Sequence, residues 1–244
     1  MIEIKNLTKT YRGNTALKNV NLKLPRGEIV GLFGENGAGK TTLMKCILEL
    51  LAYRGNITLD GAPITHKQIT KISFATCEHS FFPNLTAEGH RDFYAAHFPT
   101  FSHKRFDALM DFFALPRTKA LRSFSAGQKN QFEVIMALCQ GADYILMDEP
   151  FAGNDLFNRE DFYKVLLGIL EPHETVILST HLIEEVAGFV DRAILIREGH
   201  IIGDVKIMDL EEEGRDLVDY IKDTYDYRGD RVSKALRDLT GEEE

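Results

Sequence analysis

Short runs of apolar residues recur along the chain and predict buried strands. The runs are Gly27–Phe33, Lys71–Thr76, Asp143–Asp148 and Glu174–Thr180. Segments with apolar residues at helical spacing follow most of them, namely Thr42–Leu51, Phe157–Leu170 and Leu182–Val190. Strands that alternate with helices in this way predict a parallel sheet core of the α/β class.

The segments outside this pattern predict further parts of the fold. Ile2–Leu7 and Val20–Leu24 are predicted strands on either side of a turn, and Asn56–Gly61 is a third strand that ends in a turn. These strands predict an antiparallel N-terminal lobe. Residues 86 to about 140 are helical in character and predict an inserted helical subdomain. A hairpin is predicted around Glu198-Gly199, between Arg192–Arg197 and His200–Val205.

Composition changes after residue 206, and this change predicts a domain boundary. Residues 207–244 are rich in acids, and we expect them to form an acidic helical extension with a solvated face. The domain at 1–206 then carries the sheet core, with the helical subdomain at about 86–140 inside it.

The overall charge and hydropathy narrow the class of protein. The 244 residues carry a formal net charge of −8, which weighs against a nucleic-acid binder that works by bulk charge. No apolar stretch reaches the ~20 residues that a membrane-spanning helix needs. The first residues lack the basic-then-apolar order of a signal peptide. Cys46, Cys77 and Cys139 lie far apart in apolar surroundings, so we expect buried, reduced thiols.

A glycine-rich loop between the first buried strand and its helix predicts a nucleotide triphosphate site. The sequence Gly34-Glu35-Asn36-Gly37-Ala38-Gly39-Lys40-Thr41-Thr42 fits the pattern G-x-x-x-x-G-K-[ST]. Glycines allow backbone N–H groups to close around phosphate oxygens. Lys40 can reach the β- and γ-phosphates, Thr41 can bind Mg²⁺, and the helix directs its positive N-terminal end at the anion.

Two adjacent acidic residues lie at the end of the strand Asp143–Asp148. Hydrolysis of a bound triphosphate needs a metal ligand and a group that activates water, and these residues can provide both. Asp148 is the expected acid of the Mg²⁺ site, and Glu149 is the candidate general base. Adjacent strand residues point to opposite faces, so the two carboxylates can take different roles at one site only if the strand ends there. Pro150 is consistent with that ending.

A second anion site is predicted at Ser125-Ala126-Gly127-Gln128, a small-residue turn before a helix. A nucleotide has a single triphosphate tail. Two anion sites in one chain therefore favour two copies that face each other, each completing the pocket of the other.

Taken in order, these motifs resemble those of ATP-binding subunits of ABC transporters over residues 1–206. Phe124–Gln128 is similar to the signature sequence of that family, Ala152–Asp155 is similar to its loop ending in Gly-Leu-Asp, and His181 matches its switch histidine. The resemblance implies a P-loop NTPase fold that binds ATP and Mg²⁺. It also implies nucleotide contacts from these residues: Tyr11, Gly34, Asn36, Gly37, Ala38, Gly39, Lys40, Thr41, Thr42, Ser125, Gly127, Gln128 and Asp155.

The chain departs from the family pattern at several positions. Cys77 occupies the place of a glutamine that contacts Mg²⁺, and cysteine is a poor ligand for this cation. Glu78 follows it and is a possible substitute ligand beside Thr41 and Asp148. Ala126 replaces a glycine, which a negative φ would tolerate. Asn154 places a polar side chain where leucine is usual.

The resemblance implies an ATPase in which Lys40, Glu149 and His181 are catalytic. It further implies a homodimer, or a pseudo-dimer with a similar subunit, that powers a separate integral-membrane permease from the cytoplasmic face of the membrane. The apolar cluster within residues 78–85 is predicted either to dock that permease or to pack back onto the helical subdomain. With the compact size and the short helical insert, residues 148–155 resemble the corresponding segment of bacterial exporter ATPases for peptides or antimicrobial compounds. Two alternatives stay open, a soluble ABC-type ATPase of translation or DNA repair, and a nucleotide-switched regulatory module.

Overall fold

The computed structural model describes residues 1–79, 81–150 and 156–226. Its strands are β1 (Ile2–Tyr11), β2 (Asn14–Leu24), β3 (Ile29–Phe33), β4 (Arg54–Leu59), β5 (Ala62–Pro63), β6 (Ile72–Thr76), β7 (Tyr144–Asp148), β8 (Thr175–Ser179), β9 (Arg192–Arg197) and β10 (His200–Lys206). Its α-helices are α1 (Lys40–Ile47), α2 (Ala87–His97), α3 (His103–Phe112), α4 (Ala126–Cys139), α5 (Leu156–Ile169), α6 (Ile183–Val186), α7 (Ile207–Glu212) and α8 (Leu217–Thr224).

A six-stranded sheet forms the centre of the fold, in the order β10-β9-β3-β8-β7-β6. All of these strands run parallel except β10, which pairs antiparallel with β9. Alternate residues of one strand enter different cores: Ile145 and Met147 face the helical segment, whereas Tyr144 and Leu146 face the N-terminal strands and α1. Burial on both faces explains why these strands are continuous apolar runs.

A separate antiparallel sheet in the order β2-β1-β4-β5 forms the predicted N-terminal lobe. The predicted helical subdomain is also present, as α2, α3 and α4. The predicted fold class is therefore confirmed. The hairpin around Glu198-Gly199 is confirmed as well, and both turn residues have the positive φ that a tight hairpin needs, +49° and +82°.

One ion pair ties the helical subdomain to the sheet core. Arg105 of α3 contacts both carboxylate oxygens of Glu174, the residue just before β8, at 2.7 and 2.8 Å. The same guanidinium donates to the carbonyl oxygen of Ile169 at the end of α5. A bidentate pair of this kind is directional, so it fixes the orientation of the subdomain against the core.

The helix predicted at Leu182–Val190 is much shorter in the structure. It spans only Ile183–Val186, with no side-chain cap at Leu182. Gly188 follows the helix closely and disfavours its continuation. The carboxylate of Asp191 also accepts a hydrogen bond from the backbone N–H of Ile29 at 2.7 Å, so the chain must turn back towards the sheet before residue 191. Residues before the short helix remain in a loop that carries His181.

The environment of the cysteines differs from the prediction in one case. Cys46 and Cys139 are buried, but Cys77 is exposed. Cys77 follows the last residue of β6, Thr76, where the chain leaves the sheet. The prediction of a buried thiol is wrong there because strand burial ends at Thr76.

The first part of the C-terminal extension packs onto the core. Leu210 of α7, with Leu217 and Ile221 of α8, belongs to the apolar cluster on one face of the central sheet. The acidic residues 227–244 lie outside the described residues. Within the described ranges, no helix has the length and apolar character needed to cross a bilayer.

Candidate functional site

The phosphate loop connects β3 to α1 at the carboxyl edge of the central sheet. Gly37 and Gly39 have φ values of +83° and +115°, a region that other residues rarely adopt. A Cβ on Gly39 would also lie 2.8 Å from the carbonyl oxygen of Ala16. Backbone conformation and close packing therefore both require glycine at position 39, the residue immediately before α1.

Lys40 is the first residue of α1 and is buried within the loop, with 6% of its surface exposed. Its ammonium group donates to the carbonyl oxygens of Gly34 at 2.6 Å and Glu35 at 3.2 Å. These contacts hold a cation at the concave side of a glycine loop and at the positive end of a helix. An anion is the ligand that this arrangement attracts.

Asp148 lies beside this loop because β7 ends next to α1. Its carboxylate accepts hydrogen bonds from the hydroxyls of Thr41 at 2.6 Å and Ser179 at 2.5 Å. The Asp148 side chain is almost fully buried. A carboxylate and a hydroxyl held this close are oxygen ligands of the kind that Mg²⁺ prefers, so Thr41 and Asp148 fit the predicted metal site.

Glu149 follows Asp148 and turns out of the strand. Its φ of +47° lies in the left-handed region, and its N–H donates to the carbonyl oxygen of Ser179 at 3.1 Å. The strand therefore ends at Asp148, which is the condition that separate roles for the two carboxylates require. The Nδ1–H of His181 donates to the Glu149 carboxylate at 3.0 Å.

The phosphate loop and the two acids enclose one cavity. Its volume is about 160 Å³, and it is lined by Asn36, Gly37, Gly39, Lys40, Thr41, Thr42, Asp148 and Glu149. Most of the residues predicted for phosphate and metal binding are thus brought together. Ala38 supports the loop from behind, because its carbonyl accepts the N–H of Gly199 at 3.0 Å.

The second predicted anion site, Ser125–Gln128, is not part of this cavity. Ser125 caps α4: its hydroxyl accepts the N–H of Gln128 at 3.2 Å, and its own N–H donates to the Gln128 side chain at 3.0 Å. Ser125 and Ala126 are exposed, while Phe124 anchors the turn in the core. Ala126 lies in the first turn of α4 with no positive φ, so its methyl group is tolerated there. Gly127 is in the same turn.

Tyr11 and Glu78 lie apart from the cavity. Tyr11 ends β1 with 42% of its surface exposed, and the ammonium of Lys9 lies 4.6 Å from the centre of its ring. The Glu78 carboxylate contacts the ammonium of Lys45 on α1 at 2.6 Å. The structure therefore pairs Glu78 with a cation and does not place it with Thr41. Asp155 lies outside the described residues.

The residue in the position of the family glutamine is a neutral thiol. Partial desolvation and the charge of Asp148 raise the pKa of Cys77. A raised pKa disfavours the thiolate that a metal ligand would need.

Ser179 is a residue of the site that was not predicted from the sequence. Its hydroxyl binds Asp148, and both its hydroxyl and its carbonyl accept the N–H of Glu149. The signal was available, because Asp148 and Ser179 end two neighbouring parallel strands and pair directly in register.

Comparisons with known proteins agree with this geometry. The sequence model of the ABC transporter family matches residues 17–152. YtrB, an ABC transporter ATP-binding protein of Bacillus subtilis, is 30% identical over 216 residues, covering 87% of this chain and 73% of YtrB. SkfE, the SkfA peptide export ATP-binding protein of the same organism, is 29% identical over 220 residues, covering 87% of this chain and 92% of SkfE. The dimeric, post-hydrolysis structure of the ATP-binding cassette MJ0796 bound to ADP and Pi is 27% identical with a TM-score of 0.74, covering 84% of this chain and 98% of that one.

Proposed function

Because this chain belongs to the ABC transporter family, we propose that it hydrolyses ATP to power the export of a peptide or antimicrobial compound through a separate membrane permease. The contact between Glu149 and His181 beside the phosphate loop carries the catalytic part of this proposal. SkfE, named for peptide export, supports the class of cargo. A subunit of this kind works at the cytoplasmic face of a membrane, held there by its permease.

Binding of ATP would use the loop between β3 and α1. The backbone N–H groups of Gly37 and Gly39 and the ammonium of Lys40 offer donors and positive charge to the β- and γ-phosphates. Lys40 would exchange its contacts with loop carbonyls for phosphate oxygens. Thr41 and Asp148 would hold Mg²⁺, which supplies positive charge against the phosphate oxygens when bound.

Hydrolysis would begin with a proton transfer to Glu149. Its carboxylate takes a proton from water as the water oxygen bonds to the γ-phosphorus, and the bond to the bridging oxygen of ADP breaks. His181 holds the carboxylate from the side by its hydrogen bond. Ser179 holds the backbone of Glu149, so both ends of the base are fixed.

A second copy, or a similar subunit, would complete the site. Ser125 and Gly127 are at the N-terminal end of α4 and lie away from the cavity of their own chain. The ATP-binding cassette MJ0796 forms a dimer with its nucleotide products bound. We therefore infer that Ser125–Gln128 of one subunit contacts the nucleotide on the other. Tyr11 and Asp155 are also proposed nucleotide contacts, because they match positions of the family motifs.

The permease would dock on an aromatic patch of the helical subdomain, formed by Phe82, Pro83 and Phe93. The predicted cluster divides here: Phe81 packs against buried Phe132, whereas Phe82 and Pro83 remain exposed. Phe82 is 55% and Phe93 40% exposed, and their ring centres are 5.3 Å apart. Exposed aromatic groups of this kind commonly mark an interface.

Cross-linking tests this partner. In a background that lacks the three native cysteines, Phe82→Cys is expected to cross-link to loop positions of the permease. Met208→Cys is the control, because Met208 is 60% exposed but lies on α7. A Phe82→Cys protein that cross-links no more than the control would contradict the docking patch.

Glu78 remains a proposed metal ligand, and its role can be measured. To reach Mg²⁺ its carboxylate must leave Lys45, so ATP affinity should depend on Mg²⁺ more steeply in wild type than in Glu78→Gln. We expect Glu78→Gln to bind metal-free ATP more tightly and Mg²⁺–ATP no more tightly than wild type. Cys77→Ser is the control and should be nearly silent. Calorimetry measures the ATP affinity with and without Mg²⁺. If this affinity depends on Mg²⁺ equally in wild type and Glu78→Gln, Glu78 pairs with Lys45 and is not a metal ligand.

A further inference from the structure

The C-terminal helix α8 is packed against the sheet that carries the phosphate loop. Asp216 caps its first turn, and its apolar face is clearly defined. Leu217 and Ile221 are buried in the same cluster as Phe33 of β3 and Leu195 of β9. The end of α8 is therefore held close to the carboxyl edge of these two strands.

Tyr225, the residue that follows α8, makes a specific contact at this edge. Its hydroxyl lies 3.0 Å from the carbonyl oxygen of Ile196 and 3.3 Å from that of Phe33. Burial raises the pKa of Tyr225 to about 12, so the hydroxyl keeps its proton and donates. The guanidinium of Arg197 donates to the carbonyl oxygen of Tyr225 at 3.4 Å, which is a second hydrogen bond between this residue and β9.

The carbonyls that Tyr225 contacts support the phosphate loop directly. Phe33 precedes Gly34, the first residue of the loop, and a Cβ on Gly34 would lie 2.4 Å from the carbonyl oxygen of Ile196. At the other end of the loop, Gly199 of the β9–β10 turn donates to the carbonyl of Ala38. The end of β9 and the following turn therefore form the platform on which the loop rests.

We propose that Tyr225 is a positioning residue for the phosphate loop. Its hydroxyl fixes the ends of β3 and β9 relative to each other, and so holds the loop in the conformation that accepts a triphosphate. The first turn of the loop then depends on a residue that lies after α8, outside the motifs predicted to bind nucleotide. This inference rests on the proposed nucleotide site, because it concerns how that site is held.

The test compares Tyr225→Phe with Tyr220→Phe in the full chain. Tyr220 is on the same helix, and its hydroxyl approaches Gly203 of β10, so the control loses the same atom away from the loop. Steady-state phosphate release gives KM and kcat for ATP, and thermal unfolding gives the melting temperature of each protein.

Loss of one hydrogen bond is expected to raise KM about five-fold in Tyr225→Phe. The kcat should be unchanged. When the loop conformation that binds ATP is less populated, the apparent affinity for ATP falls, but the complex that forms is the same. Amide exchange at Gly34–Gly39 should be faster in Tyr225→Phe, while exchange in β1 and β2 stays as in wild type. These two readouts separate a positioned loop from a general loss of stability.

Several results would overturn the inference. One is a lower melting temperature of Tyr225→Phe while its KM and the amide exchange of its loop stay as in wild type. The others are an equal rise of KM in Tyr220→Phe, and a fall in kcat alone. If Tyr225→Phe is too unstable for kinetics, amide exchange of the folded protein is measured at low temperature instead. Protection of the loop equal to that of wild type would then contradict the positioning role of Tyr225. A wild-type protein that does not bind ATP would contradict the proposed nucleotide site instead.

Discussion

Glu149→Gln is expected to bind ATP as wild type does and to release phosphate roughly 10²-fold more slowly. An amide keeps the shape of the side chain and can still accept the hydrogen bond from His181, which measures 3.0 Å in the native pair. It cannot accept a proton from water. ATP should therefore stay intact between two subunits, and gel filtration with ATP and Mg²⁺ should show a dimer.

The control for this prediction is Glu184→Gln, which removes the same charge from an exposed residue in the segment after His181. Phosphate release by this variant should stay close to that of wild type. Undiminished release by Glu149→Gln would show that another group, or water alone, takes the proton.

Lys40→Ala is expected to lose most of its affinity for ATP. The ammonium of Lys40 is the mobile cation of the loop, and charge-assisted hydrogen bonds to phosphate account for roughly a 10- to 100-fold difference in binding. The methyl group of alanine fits the first helical position, so α1 should still form. Titration calorimetry measures the loss directly.

Lys23→Ala is the matched control, since Lys23 is an exposed cation on β2, 69% of whose side chain is accessible. Its ATP affinity should equal that of wild type. If Lys40→Ala also binds ATP as tightly as wild type, the assignment of Gly34–Thr42 as the phosphate loop is wrong.

The parts of the site that follow from short-range sequence were predictable. The glycine loop needs a strand before it and a helix after it, and β3 and α1 provide them. Glu149 needed the strand to end at Asp148, and the left-handed φ at Glu149 produces that ending. These features depend on local backbone geometry, which residue types and spacing encode.

The contacts that join distant segments were not predictable in the same way. Glu78 pairs with Lys45, and Tyr225 binds β3 and β9, although each pair is far apart in sequence. Only the packed fold brings such groups together. The short helix Ile183–Val186 illustrates the same limit, because the need to return to β9 overrides the apolar periodicity of residues 182–190.

Phosphate release with and without the permease distinguishes a transport ATPase from the two alternative functions. The purified protein is assayed alone and then reconstituted with its permease in lipid vesicles, at the same concentration of ATP and Mg²⁺. For a transport ATPase we expect phosphate release in both cases, a higher rate with the permease, and loss of both rates in Glu149→Gln. A rate that the permease leaves unchanged would favour an ATPase that works apart from transport, and the absence of release in both assays would favour a regulatory module that does not turn over ATP.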